Sequence, residues 1–469
     1  MERLLKRHFG YEQFREGQRE VIESISSGKD TLAIFPTGRG KSLCYELPAY
    51  LLQSRVLIIS PLLSLMEDQV AQIKKRGERR VVAINSMLSW QEKKHALQTL
   101  ETYRYIFCSP EMLHQDGMRE RLKQLSFGLI AIDEAHCISE WGYDFRPDYL
   151  SLHDSLNWPG RPPLLALTAT ANEKVERDIV HVLPMKTPNV YRYSMNRKEI
   201  DYRVVSLENE NARREWILNR VKETAGPGIL YVPSRKRADE WAYELRMCNI
   251  RAESYHAGKE NDERMLVQAQ FTEGSIEWVC ATSAFGMGIH KSDIRQVVHE
   301  RMPLDLSQYV QEVGRAGRDG EPSVATLLYV PGDEGLASYI ALSDLPTPSQ
   351  IERWFSRSPD ERLDEPLSEA AERTLAHYAT YLTKDQIIQQ YREIADYKKE
   401  ALQQVVRFVT TDRCLRAFQL EAFGERPMSQ QNRCCSSCFE ERWMEREAET
   451  LPFQFVTWEE RLDYLFHKS

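Results

Sequence analysis

The chain lacks any run of about 18 consecutive apolar residues, so no transmembrane helix is expected. Its first ten residues, Met1 to Gly10, are charged throughout and hold no apolar core, which excludes a secretory signal there. Positive charge is not in excess. With 62 Lys and Arg against 70 Asp and Glu, the formal net charge is −8. A globally basic nucleic-acid coat is thereby excluded, and any nucleic-acid site must be a local patch or a lined channel. There is no internal repeat and no low-complexity tract. Cysteine is sparse over most of the length. Cys44, Cys108, Cys137, Cys248 and Cys280 stand singly, mostly in apolar contexts, and read as reduced core residues. The other four lie between Cys414 and Cys438. An odd total of nine, so distributed, excludes a secreted disulfide scaffold and points to the cytoplasm and a local metal site.

What is present fits folded domains with real cores: 42% hydrophobic and 28% charged residues. The 469 residues suggest about three domains. Up to about residue 200, short apolar runs alternate with helical patterns. The expected strands are Thr31–Phe35, Val56–Ser60, Val81–Asn85, Tyr105–Cys108, Leu129–Asp133 and Leu164–Thr168. A second alternation gives Tyr202–Leu207, Gly228–Val232, Ala252–Tyr255, Glu277–Ala281, Gln296–His299 and Ala325–Val330. Strands separated by helices argue for parallel sheets, so the reading is two α/β units in tandem. Asp344 to Ser349, with two prolines, marks a break. Beyond it the pattern is helical and charged to about Val409, then come the cysteine cluster and a polar tail.

The strand Thr31–Phe35 runs into Pro36-Thr37-Gly38-Arg39-Gly40-Lys41-Ser42, followed by a helical pattern. Strand, glycine-bearing loop and Lys-Ser at a helix start form a phosphate cradle, with backbone amides and the helix N-terminus facing the phosphates. Lys41 would reach the β/γ-phosphates and the Ser42 hydroxyl would bind Mg²⁺. Phe35 replaces the first glycine of the usual pattern, and the bland alternative is a surface turn. Downstream, Ile130-Ala131-Ile132 ends in Asp133-Glu134-Ala135-His136. Asp133 would hold Mg²⁺ and Glu134 would orient or deprotonate the attacking water. Upstream, Phe9, Tyr11, Phe14, Arg15 and Gln18 precede the loop. An aromatic can stack on a base, and a Gln can pair with an adenine edge. A simple amphipathic cap helix is the alternative. The second unit ends in Gln311-Glu312-Val313-Gly314-Arg315-Ala316-Gly317-Arg318. Arg315 and Arg318, three apart on an expected helix, would share a face and act as arginine fingers. Otherwise they form a solvated basic face.

Taken in order, these segments resemble superfamily 2 helicases, and specifically the RecQ family. The resemblance spans residues 1 to about 440. It is carried by Phe14 to Gln18, Pro36 to Ser42, Ser60 to Leu65, Asp133 to His136, Leu167 to Ala171, Tyr255 to Gly258, Ala284 to Ile289 and Gln311 to Gly320. It implies two tandem RecA-like parallel-sheet domains, residues 1–200 and 201–343, then a helical zinc-binding domain, 344–440, and a tail, 441–469. It also implies an ATP-dependent DNA helicase that moves 3′→5′ along single-stranded DNA. The substrates would be single-stranded DNA and forked or tailed duplexes, the partners DNA repair and recombination proteins. The location would be cytoplasmic, at the nucleoid in a bacterium.

Cys137 to Pro147 holds Trp141, Tyr143, Phe145 and Arg146 in a loop punctuated by Gly and Pro. Aromatic faces stack on unpaired bases at about 1–3 kcal/mol per base. The segment is similar to the aromatic-rich loop by which RecQ helicases couple DNA to ATP turnover; by residues alone, a packed loop core is the rival. Thr168, Ala169 and Thr170 would lie at the cleft. Ser60, Ser64, Ser234, Arg235, His256, Thr282 and Ser283, at expected strand ends, suit a nucleic-acid backbone. Each alone is ordinary there. Gly286 and Gly288 would admit a close ligand.

Cys414, Cys434, Cys435 and Cys438 offer four thiolates, the donor set of a tetrahedral structural Zn²⁺. Buried or oxidation-prone thiols are the alternative. Certain RecQ members have a similar Cys-Cys-x-x-Cys ending, although Leu415 stands where the family has an Arg. After Cys438, 31 residues remain, too few for the winged helix of longer RecQ proteins. Two rivals stand beside the DNA helicase: an RNA helicase of the related type, separable by ATPase stimulation with DNA against RNA, and a zinc-stabilised nucleotide switch without turnover.

Overall fold

The computed structural model describes residues 1–85, 88–113, 117–139, 147–224, 226–286, 291–356, 367–426 and 434–439. The first unit is a seven-stranded sheet. Its strands are β1 (Thr31–Ile34), β2 (Arg55–Ile59), β3 (Val81–Ile84), β4 (Tyr105–Cys108), β5 (Phe127–Ile132), β6 (Leu164–Thr168) and β7 (Asn189–Arg192). All pairs are parallel, in the order β3-β4-β2-β5-β6-β1-β7. The second sheet holds β8 (Ile200–Ser206), β9 (Gly228–Tyr231), β10 (Ala252–Tyr255), β11 (Trp278–Ala281), β12 (Gln296–His299) and β13 (Ser323–Tyr329). It is also wholly parallel, in the order β10-β11-β9-β12-β13-β8.

Central strands are apolar on both faces because helices cover both faces of a parallel sheet. β1, β4, β6, β9 and β11 are buried at every position. Two clusters sandwich the first sheet, one around Leu57, Ile106 and Ile130, the other around Val56, Phe107 and Leu129. Expected strands recur with ends shifted by at most two residues. β7 was not expected from the sequence: Asn189-Val190-Tyr191-Arg192 is an edge strand with mostly exposed side chains, so it carries no apolar run.

The third unit is helical. Its helix Lys384–Thr410 opens with a capping box between Thr383 and Gln386. One stretch of that helix, with Ile387, Tyr391 and Ile394, builds a core with Ile351, Leu375 and Tyr378. The next stretch, with Leu402, Val405 and Phe408, enters the core of the second sheet beside Tyr309 and Val310. Cys435 then forms a parallel bridge with Tyr202, and Ser436 N donates to Tyr202 O at 2.9 Å. The cysteine knuckle therefore covers the edge left open by β8. Among the described residues, no helix is long and apolar enough to cross a membrane.

Asp30 ties the starts of three strands together. Its carboxylate accepts from Arg161 at 2.9 and 2.8 Å, from Leu164 N at 2.8 Å and from Lys186 N at 2.5 Å. Its own carbonyl accepts from Asn189 N. Burial alone would raise this carboxyl. The Arg161 guanidinium and the two amides outweigh burial and hold it below its ordinary value of 3.8. A depressed carboxylate stabilises the fold above its unfolded pKa, and that contribution fades as pH falls through the folded value. Asp30→Ala strands a buried guanidinium and is expected to cost about 3 kcal/mol at pH 7. Chemical denaturation of both proteins at several pH values checks this. The difference from wild type should shrink below about pH 4.

Candidate active site

The loop after β1 needs left-handed backbone at two places, which glycine supplies: Gly38 has φ +84° and Gly40 φ +76°. Ser42 then precedes the helix Leu43–Leu51. Thr37, Gly38, Arg39, Gly40, Lys41 and Ser42 are all partly accessible. The N-terminal segment braces this loop from behind. Gln18 Nε2 donates to the carbonyls of Arg39 and Gly40, each at 3.0 Å, and Gln18 Oε1 accepts from Arg15 N at 2.9 Å. The Arg15 guanidinium donates to Gly38 O. Phe9, Tyr11, Arg15 and Gln18 line one cavity of about 100 Å³ with Ser42, Glu46 and Arg76. Tyr11 is 55% exposed and Phe9 lies under the Arg76 guanidinium at 5.3 Å. Burial pushes the Glu46 carboxyl up to about 7, against the pull of Arg76 and the Ser42 hydroxyl.

β5 delivers Asp133 and Glu134 to the opposite side of the loop. Lys41 Nζ lies 2.8 Å from Glu134 Oε1. Glu134 holds a left-handed backbone, φ 47°, unusual for a residue with a side chain. Its amide donates to Asp133 Oδ1 at 3.0 Å. His136 Nδ1 stands 3.4 Å from Glu134 Oε2 and 3.1 Å from Thr168 Oγ1, linking the carboxylate to the end of β6. Burial would raise the Glu134 carboxyl, but Lys41 and His136 reverse this and hold it well below the carboxylate range. Asp133 is pushed up to about 6 by burial and by the neighbouring Glu134 charge. The pair thus holds one firmly ionised carboxylate and one that holds its proton more readily, which a bound cation would drive off.

Arg315 and Arg318 do not share a helical face. The helix Leu306–Val313 ends before them, because a close turn through Gly314 and Gly317 (φ +59°) takes over. Arg315 turns into its own unit. Its Nε donates to Tyr231 Oη at 2.8 Å, and its guanidinium also donates to Gly286 O. A Cβ on Gly286 would meet the Arg315 guanidinium at 3.0 Å, so a side chain there would crowd it. The Arg318 stem instead packs across the cleft: a Cβ on Gly38 would lie 3.1 Å from Arg318 Cγ. A Cβ on Gly314 would overlap the Thr37 hydroxyl. The arginine turn is therefore seated on the phosphate loop.

Reading the sequence missed the residue that holds this seat. Arg197, in the connection from β7 to β8, donates to Thr37 O at 3.0 Å, Gly314 O at 2.8 Å and Ala316 O at 2.8 Å. Glu199 pairs with it. No motif marks it, since its acceptors are backbone carbonyls that any sequence would supply.

Of the residues expected to face DNA, Ser60, Ser234, His256 and Thr282 follow the C-terminal ends of strands. Ser60 follows β2 and is buried, with no hydrogen-bond partner for its hydroxyl among the described residues. Ser64 lies in the helix Leu63–Lys75. Ser234, His256 and Thr282 follow β9, β10 and β11, which are neighbours in the second sheet. Ser234 caps the helix Arg235–Met247 by accepting from Arg237 N, and Arg235 is exposed beside it. His256 Nε2 is 3.2 Å from both Asp239 carboxylate oxygens. Trp141, Tyr143, Phe145 and Arg146, and also Gly288, lie outside the described residues.

The Sγ atoms of Cys414, Cys434, Cys435 and Cys438 all lie within 4.8 Å of one another. Cys414–Cys434 is 3.4 Å, Cys435–Cys414 3.8 Å and Cys435–Cys438 3.5 Å. Four thiolates at about 2.3 Å from a tetrahedral Zn²⁺ stand about 3.8 Å apart, so the donor set and spacing fit that ion. Arg416 anchors the knuckle. It donates to Asn196 Oδ1 at 2.8 Å, Arg197 O at 2.7 Å and Cys434 O at 3.3 Å.

Comparison with known proteins agrees with this geometry. Residues 15–178 match the DEAD/DEAH box helicase family, 212–320 the helicase conserved C-terminal domain, and 377–439 the RecQ zinc-binding domain. The probable ATP-dependent DNA helicase RecS of Bacillus subtilis is 41% identical over 458 residues, covering 93% of this chain and 92% of the relative. The ATP-dependent DNA helicase RecQ of Pasteurella multocida is 40% identical over 73% of this chain; the chain spans 54% of that relative's length. In fold, the chain is similar to the helicase Lhr of Mycobacterium smegmatis bound to ssDNA and AMP-PNP, with TM-score 0.59, 19% identity, and 86% and 57% of the two chains covered. It is equally similar to Mss116p bound to ssRNA and AMP-PNP, with TM-score 0.59, 16% identity, and 85% and 88% covered. Two parallel-sheet helicase units, a RecQ zinc-binding unit and a full-length relative at 41% identity together make this chain a member of the RecQ family of ATP-dependent DNA helicases.

Proposed function

We propose that the chain hydrolyses ATP between its two sheets and converts closure of that cleft into 3′→5′ movement along single-stranded DNA. Forked or tailed duplexes are unwound, in the service of DNA recombination and repair. The observation that carries the reading is the seating of the Gly314–Arg318 turn on the Thr37–Gly38 loop, beside the Lys41–Glu134 pair. A phosphate cradle on one unit facing arginines from another is the arrangement of a motor that closes on its nucleotide. Direction and pathway rest on the family resemblance.

In this reading Lys41 leaves Glu134 for the β/γ-phosphates, which frees Glu134 to orient and deprotonate the attacking water. Ser42 and Asp133 would hold Mg²⁺, whose charge would offset that of the phosphates; the raised Asp133 carboxyl fits a site completed by a cation. Arg315 and Arg318 complement the charge that develops on the transferred phosphoryl group. Phe9, Tyr11, Arg15 and Gln18 form the base end of the site. Ser60, Ser234, Arg235, His256 and Thr282 track the DNA backbone, with the Trp141–Arg146 segment stacking on bases. The four thiolates hold Zn²⁺ in a structural role, because they leave no open coordination position.

Lys41→Ala is expected to lower ATP turnover about 10²- to 10³-fold and abolish strand separation. Glu134→Gln should keep ATP binding and lose about 10²- to 10⁴-fold in turnover. Steady-state ATPase and fluorescent unwinding assays on tailed and forked duplexes check both, with single-stranded DNA and RNA compared as activators. Retained ATP-driven unwinding by Lys41→Ala would remove the phosphate loop from the mechanism. For the metal, one zinc per chain is expected by elemental analysis. Cys435→Ser should lower zinc content and melting temperature together, while ATP affinity measured by direct binding changes less than about threefold.

A further inference from the structure

Asn172 caps the helix Glu173–Val182, its Oδ1 accepting from the amides of Lys174 and Val175 at 3.0 Å each. The other end of the same amide faces away from the helix. Its Nδ2 donates to Tyr397 Oη at 2.9 Å. Tyr397 stands midway along the helix Lys384–Thr410 of the third unit, with the Lys174 ammonium 5.2 Å from its ring centroid. Because that helix shares a core with the second sheet through Leu402, Val405 and Phe408, this hydrogen bond joins the first unit to the other two.

The residues just before Asn172 lead straight to the hydrolytic pair. Thr168 Oγ1 donates to Thr170 O at 2.9 Å and accepts from Thr170 N at 3.3 Å. The same oxygen lies 3.1 Å from His136 Nδ1, which is 3.4 Å from Glu134. All three units meet around a cavity of about 50 Å³ lined by His136, Thr170, Asn172, Asp305, Tyr397 and Gln404. The Thr170 hydroxyl is buried and has no hydrogen-bond partner among the described residues. At about 30 Å³ per water the cavity has room for one or two. The Thr168 hydroxyl closes the turn on its β6 side, while the Thr170 hydroxyl adds no bond, so the far side depends on what anchors it. One end is β6. The other is Asn172, held from outside by Tyr397.

We propose that Tyr397 is a positioning residue. Its hydroxyl fixes Asn172, and through it the Thr168–Thr170 turn and His136, in the register that lets Glu134 work. The bond exists only while the third unit is docked against the first, so closure of the motor is read directly at the hydrolytic carboxylate. This rests on the DNA-coupled ATPase reading above.

Tyr397→Phe tests it, because the ring and its packing stay while the hydroxyl goes. DNA-stimulated kcat is expected to fall about three- to tenfold, the effect of losing one buried hydrogen bond. KM for ATP, DNA affinity, zinc content and melting temperature should stay at wild-type values. Asn172→Ser keeps a helix cap but is too short to reach the phenol. It should give the same fall, and the double variant should be no worse than either single one. Wild-type DNA-stimulated kcat in Tyr397→Phe, or additive losses in the double variant, overturns the inference. A parallel loss of melting temperature and of ATP affinity would make Tyr397 merely structural, and also overturns it. If DNA fails to stimulate the wild-type protein, the coupled reading falls first and this inference with it.

Discussion

A buried guanidinium, Arg197, ties the phosphate loop of one half of this molecule to the arginine turn of the other. Arg197 sits on the connection between the sheets and directs its donors to carbonyls of both: Thr37 from the phosphate loop, Gly314 and Ala316 from the arginine turn. A guanidinium taken out of water without partners is strongly destabilising. The closed cleft is the arrangement in which those three acceptors surround Arg197 together. The same residue is gripped from behind, since its own carbonyl accepts from Arg416 of the third unit. Arg416 in turn donates to Cys434 O in the knuckle. The cysteine cluster is thereby two hydrogen-bonding side chains from the phosphate loop. The fold of the knuckle is therefore linked to the geometry of the cleft although it lies outside it.

Topology explains why the site collects where it does. In a parallel sheet, every strand runs the same way, and its C-terminal ends form one edge. In the first sheet the neighbours β2, β5, β6 and β1 bring Ser60, Asp133, Thr168 and the phosphate loop to that edge. In the second, β10, β11 and β9 bring His256, Thr282 and Ser234 to theirs. Thr37 and Thr168, 131 positions apart, thus share one rim in the first sheet. The polar side chains there replace the apolar ones of the strands for the same reason that loops are polar: the backbone emerges from the core and needs partners.

Much of this was legible in the chain. Buried parallel strands are largely apolar, so β1, β4, β6, β9 and β11 announce themselves within a residue. Lys41, Asp133 and Glu134 are legible because their chemistry demands particular side chains at strand ends. What was not legible is instructive. β7 is held by backbone pairing to β1 and carries exposed side chains, so no period marks it. The helix expected under Arg315 and Arg318 stops at Val313, because tertiary seating on Thr37 requires a turn there. Arg197 and Arg416 act on carbonyl oxygens, and a carbonyl has no sequence signature. Side chains that bind backbone across units are the class of functional residue that pattern reading overlooks.

The electrostatics of the cleft complete the argument. Lys41, Arg197 and Arg318 lie at it, with Arg315 turned into its own unit close by; Glu134 pairs with Lys41 and Glu199 with Arg197. Asp133 is raised and contributes less charge than its formal count. The Arg318 guanidinium is held below its ordinary value by burial, then by Arg315 and Arg197 nearby. Cations are thus gathered where they repel one another, at a cost that rigid neighbours must bear. Such a site favours a ligand with several negative charges, because each charge added relieves repulsion already built in. Lys41 and Glu134 neutralise each other across 2.8 Å, and in the proposed reading an arriving nucleotide would draw Lys41 away and free Glu134 to act as the base.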